Sequence, residues 1–205
     1  SSRRRHTRCS HDWSSDVCSS DLSPMDTPAP WPPSTRRVLL PAVPAVVAEW
    51  TNAAVLDSAG EIQVKDVASA GQRVSAARPI VCHGPATAAR LNVDRFPAHD
   101  VLELFAFVYP ATFALPTVRG LAQALKLSPP ASFEDQPLTL MDIAKTLLAT
   151  LARLPDLETK PLAAIAGAMA RGGWAWGPSV LAALGGDPNA QKGFGPAAEI
   201  GRAHV

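Results

Sequence analysis

The chain has 205 residues, 47% of them hydrophobic, and 19 Lys and Arg against 18 Asp and Glu leave a formal net charge of +1. So even a balance lacks the basic excess that gives a nucleic-acid-binding domain its electrostatic footprint. No run approaches the ~18 consecutive apolar residues of a membrane-spanning helix, so no membrane partner is expected.

In chain order, the first feature is at the two ends. Asp16 to Leu22 reads DVCSSDL and Glu199 to Val205 reads EIGRAHV. Back-translating the first as GAC GTG TGC TCT TCC GAT CT gives a reverse complement, AG ATC GGA AGA GCA CAC GTC, which after one further G encodes the second. Opposite strands of one DNA at the two ends of a chain are not a product of folding or selection. They resemble a sequencing adapter read through at both ends of an insert. Residues 1–22 and 199–205 are therefore expected to be adapter-derived and are set aside, as a fusion scar would be. Their removal takes five Arg and four acids from the 19 and 18, leaving a net charge of zero. It also takes Cys9 and Cys18, and the one remaining cysteine, Cys82, makes neither a disulfide framework nor a metal cluster.

Residues 23–36 form a Pro-rich leader. Arg36-Arg37 before Val38-Leu39-Leu40 has the form of a twin-Arg export signal. Pro41 and Pro44 interrupt the apolar run, which favours a basic edge before the first strand. Leu39 to Ala48 reads as the first strand region. Ala53 to Asp57, the turn Ser58-Ala59-Gly60, and Glu61 to Val67 read as a β-hairpin, and Val74 to Arg78 leads onward. Pro79 to Cys82 is a short buried strand stopped by His83-Gly84-Pro85, with a helical pattern over Ala86 to Leu91. Asp100, with Glu103 three residues on, has capping-box spacing and opens a helix with Leu102, Leu104, Phe105 and Val108 as its apolar face. Pro110 stops it. Thr117 caps a helix with Val118, Leu121, Ala122 and Leu125 at helical spacing. Ser128 to Glu134 is a loop.

Met141, Ala144, Leu147, Leu148 and Leu151 then predict an amphipathic helix from Leu138 to before Pro155. Another is predicted from Thr159, with Pro161 in its first turn, Leu162, Ile165, Ala166 and Met169 as its face, and an end at Gly172-Gly173. Ser179 to Leu184 is a short helix stopped by Gly185-Gly186. The class this implies is α/β, a mixed sheet with helices, with a small helical extension over 156–185 and a linker over 186–198.

The order of strand, His83 loop, helix, Asp100-Val101-Leu102-Glu103-Leu104, Pro110 and a helix ending Leu125-Lys126-Leu127 resembles the middle of the DEDDh exonuclease domain, an RNase H-like fold. As a whole, residues 39–186 resemble the N-terminal region of bacterial DinG-type ATP-dependent DNA helicases. The resemblance implies a degenerate exonuclease-like domain over 37–155. That family holds two Mg²⁺ with four carboxylates and uses a His as general base. Its opening Asp-x-Glu-Thr-Thr is matched by Val47-Ala48-Glu49-Trp50-Thr51, which keeps only Glu49. Its second Asp falls at Ala88. Its last Asp is matched by Asp142, with Pro137 where the His belongs. Asp142 and Glu49 are thus the residual motif positions, too few for catalysis, and no metal is expected here. Asp100 is not a metal ligand in the family and reads as a helix cap.

No phosphate loop is present: around Lys192, Gln191 and Gly193 stand where the motif needs Gly and Ser or Thr. ATP and Mg²⁺ are expected to belong to a helicase part downstream of Ala198, and any grip on DNA is expected to come from that part too. This domain is expected to position DNA or to dock on that motor in the cytoplasm. Two alternatives remain: a stand-alone interaction module, or a working 3′–5′ exonuclease using Glu49, Asp94 and Asp142. His83 and His99 have no Cys, His or acid at metal-ligand spacing and read as hydrogen-bonded loop histidines. Cys82 reads as a small buried apolar group. Trp174 and Trp176 could stack on single-stranded bases, but their Gly-flanked setting favours packing against the domain or a following one.

Overall fold

The computed structural model describes residues 36–187. The adapter-like ends, residues 23–35 of the leader and 188–198 of the linker lie outside the described residues. Twelve elements run in order: β1 (Ala45–Ala48), β2 (Asn52–Leu56), β3 (Ile62–Asp66), α1 (Val67–Ala77), β4 (Ile80–Val81), α2 (Gly84–Leu91), β5 (His99–Asp100), α3 (Val101–Val108), α4 (Val118–Ala124), α5 (Gln136–Ala152), α6 (Asp156–Arg171) and α7 (Gly177–Leu184). The class is mixed α/β, as the sequence predicts.

The five strands lie side by side in the order β3-β2-β1-β4-β5. The first three form an antiparallel meander, while β4 pairs parallel to β1 and β5 parallel to β4. Each parallel step needs a crossover, supplied by α1 and α2. The sequence of β1 suits its central place: Ala-Val-Val-Ala has no polar side chain and is buried throughout. Its alternation divides the interior. Ala45 and Val47 face a larger core built with α3 to α7 around Leu104, Leu147 and Trp176. Val46 and Ala48 face a smaller core with Ala70, Val74 and Leu91 of α1 and α2.

Two of the capping signals, Asp100 and Thr117, act as written. Asp100 accepts from the Leu102 and Glu103 backbone N–H groups at 2.9 and 3.3 Å, and Thr117 Oγ1 accepts from Gly120 N–H at 3.0 Å. The central helix α5 buries Leu140, Ile143, Ala144, Leu147, Leu148 and Leu151 on one stripe. It starts two residues earlier than expected because Pro137 is accommodated in its first turn.

Three expectations need correction. The approach predicted over Val74 to Arg78 is the end of a helix, α1, that begins at Val67. Asp66 starts it by accepting from Ser69 N–H at 2.9 Å. Its Ala, Ser and Gly content gives too faint an apolar stripe to stand out in the sequence. The residue pair His99-Asp100 is a short strand, created by pairing with β4 rather than by its own propensity. Finally, α6 starts at Asp156, and Thr159 lies inside it, its Oγ1 donating to Asp156 O at 2.9 Å. Ile165 and Met169, expected in the core, are 51% and 37% exposed. Apolar residues occur all round this helix, so periodicity does not choose a face. The small side of Thr159, Ala166 and Ala170 is the one that turns inward.

Residues 156–185 share the larger core with the rest: Ala166, Trp176, Val180 and Leu184 pack in one cluster with Leu104 and Leu147. Arg36 fastens this corner. Its guanidinium donates to Ala152 O at 3.2 Å and to Leu154 O, and pairs with Asp156. It thereby satisfies the Ala152 carbonyl that the C-terminus of α5 leaves free.

Candidate functional site

A groove of about 730 Å³ opens at the carboxyl ends of β1 and β4. In open α/β sheets this is where ligands bind, because the chain departs from the sheet in different directions on either side. The floor is the end of β1 and His83. One wall is α2, with Thr87 and Arg90. The other is the start of α4 with Arg119 and the loop leading to Gln136, and the β1–β2 turn contributes Glu49, Trp50 and Thr51.

Two exposed arginines set its chemistry. Arg90 reaches from the last turn of α2 to the end of the central strand and donates to Ala48 O at 3.0 Å. Arg119, in the first turn of α4, donates to Pro130 O at 3.1 Å. One hydrogen bond uses one of five N–H groups on each guanidinium, so each arginine that lines the groove is anchored and keeps further donors. Trp50 stands at the rim, 79% exposed. A three-residue turn between β1 and β2 gives an indole no core to enter, and that is the signal in the sequence that could have marked it. The two arginines carried no such signal; folding alone brings them to one groove.

The N-terminus of α2 is already occupied. Asp100 Oδ2 accepts from Gly84 N–H at 2.6 Å while its other oxygen caps α3. One buried carboxylate thus ties the starts of two helices together beneath the groove. Burial, and after it the Asp100 charge, push the Cys82 thiol up to about 12, which disfavours the thiolate. Burial holds the His99 imidazole below its ordinary value; its Nδ1 lies 2.9 Å from Arg78 O, and its ring meets Trp176 edge-on at 5.2 Å.

The sequence-predicted acids do not converge. Glu49 lines the groove, exposed, with its N–H bonded to Asn52 O at 2.8 Å. Asp142 is exposed on α5 and does not line the groove. Asp94 borders a different depression, between α1 and the loop after α2. Ala88 and Pro137, at the family's other Asp and His positions, are buried. Among the described residues no group of three or more His, Cys, Asp or Glu could share a metal ion. One carboxylate beside two guanidinium groups is a donor set that suits anions and does not fit a Mg²⁺ pair.

The two tryptophans pack on the domain. Trp176 is fully buried and its Nε1 donates to Asp100 O at 2.7 Å. Trp174 donates to Glu103 Oε2 at 3.2 Å and packs on Phe107 at 5.1 Å. Burial and the nearby Asp100 charge raise the Glu103 carboxyl. Compared with known proteins, the chain matches no family model, no curated protein and no solved structure.

Proposed function

We propose that this chain is the N-terminal accessory domain of a DinG-type ATP-dependent DNA helicase, of degenerate RNase H-like (DEDDh exonuclease-like) fold, and that it holds a DNA strand without cutting it. The observation that carries this reading is the groove: Arg90, Arg119 and His83 line it together with a single carboxylate, Glu49, and an exposed Trp50. Guanidinium groups grip phosphates without a metal, and an exposed indole offers a base a stacking surface. The order of elements adds support. A strand ending at His83, a helix, a helix opened by Asp100 and stopped before Pro110, and a helix ending near Leu127 are what the resemblance requires. ATP and Mg²⁺ belong, in this reading, to a motor part of the parent protein, which works in the cytoplasm.

The test is fluorescence anisotropy with a labelled single-stranded oligodeoxynucleotide at low salt. Binding is expected to be indifferent to EDTA, and Arg90→Glu combined with Arg119→Glu should weaken it at least about tenfold by removing two phosphate contacts. No nucleotide should be released with Mg²⁺ or Mn²⁺. Mg²⁺-dependent release abolished by Asp142→Ala would replace this reading with the active-exonuclease one. A second reading, a non-catalytic interaction module, is favoured by the outward face of α6, where Leu157, Ile165 and Met169 are exposed. It gains the field if the oligonucleotide does not bind.

A further inference from the structure

The edge of the sheet carries a pattern that the groove does not use. Residues 61–66 read Glu-Ile-Gln-Val-Lys-Asp, and β3 has β2 as its one neighbour in the sheet. Two hydrogen bonds bracket the β2–β3 ladder: Asp57 N–H to Glu61 O at 3.0 Å and Val67 N–H to Thr51 O at 3.3 Å. They fix its parity. Odd-numbered residues of β3 exchange backbone bonds with β2, so the N–H and C=O groups of Ile62, Val64 and Asp66 point away from the sheet. Ile62 and Val64 are 36% and 45% exposed. They share the sheet face of Leu56 and Ala54, their partners on β2. Glu61 and Lys65 lie on the opposite face and have no ion-pair partner among the described residues.

The geometry points to a second copy of this chain as the occupant of this edge, its β3 pairing antiparallel across a twofold axis at Gln63 and joining two five-stranded sheets into one. Backbone parity and side chains select this register together. Only even-numbered residues offer hydrogen bonds outward, so even must oppose even; an axis through any residue does this, and those at Gln63 and Val64 pair most of residues 61–66. The axis at Gln63 sets Ile62 opposite Val64 of the second copy, twice, as hydrogen-bonded pairs. It also sets Glu61 opposite Lys65 of the second copy, twice, as the closer non-hydrogen-bonded pairs. An axis at Val64 would place Ile62 against the carboxylate of Asp66. An axis at Ile62 would leave both Glu61 groups facing Gln63. The strand is self-complementary in one register.

Sedimentation velocity on the whole chain over a range of micromolar concentrations tests this. A concentration-dependent dimer is expected. Val64→Pro deletes an outward N–H while sparing the bonds to β2, and should give a monomer. Lys65→Glu should weaken the dimer by roughly tenfold, since the reversed charge appears twice across the axis, and adding Glu61→Lys to it should restore association. A monomer at every concentration overturns the proposal, as does a dimer indifferent to both single changes. Failure of the double variant to recover overturns the register. Far-UV circular dichroism checks that each variant is folded. If Val64→Pro is not, the charge reversal and its rescue decide. These outcomes are independent of DNA binding in the groove.

Discussion

The two faces of the sheet are covered by different kinds of side chain. On one, α3 to α7 bring Leu104, Phe105, Leu147, Leu148 and Trp176, large groups that fill space by bulk. On the other, α1 and α2 bring Ala70, Val74 and Leu91, and the backbones approach closely. A Cβ on Gly71 would lie 2.9 Å from Val93 Cγ1 and 3.3 Å from Leu91 O. The first face is held by buried area and the second by fit. Mutations should therefore fail differently on the two sides: by truncation on the first, and by both truncation and enlargement on the second.

The largest effect is expected from Leu147→Ala, which opens a cavity in the middle of α5 and should cost roughly 3–4 kcal/mol. Val74→Ala on the opposite face removes less volume and should cost roughly 2 kcal/mol. Urea unfolding measures both, and an equal loss at the two sites would erase the distinction drawn between the faces. A smaller effect comes from pH. Burial holds His99 below its ordinary 6.5, and the neighbouring Arg78 charge acts in the same direction, against the hydrogen bond that the ring makes to Arg78 O. The unfolded chain takes up this proton first. The stability tied to neutral His99 is thus complete above its unfolded pKa of about 6.5 and is lost as pH falls toward the folded value. The urea midpoint should decline on acidification through that window, and His99→Gln should flatten the decline.

The contrast between the faces also explains what could be read from the sequence. The larger core announces itself: Leu, Ile and Phe recur at helical spacing, and Asp100 and Thr117 mark where two helices begin. The hairpin was legible too, since Ser58-Ala59-Gly60 separates two short alternating runs. The smaller core was not, because α1 is made of Ala, Ser and Gly around Val67 and Val74, and packing rather than propensity makes it a helix. The exposed side of α6 misleads for the opposite reason, an excess of apolar residues. In the groove, Glu49 could be picked out by motif. Arg90 and Arg119, 29 positions apart in the chain, meet only through the crossover that sets α2 beside β1 and the packing of α4.

Arg36 and Arg37 have a consequence beyond capping. Arg37 N–H bonds Ala182 O at 3.0 Å, so the chain enters the described fold beside the helix from which it leaves. Entry and exit through one corner make this segment suited to splicing into a surface loop of a host protein with little distortion of the host, and to circular permutation through a short join. Pulled from its two termini, it would feel the load on that single clasp first, and would peel from this corner while the sheet behind it stayed intact.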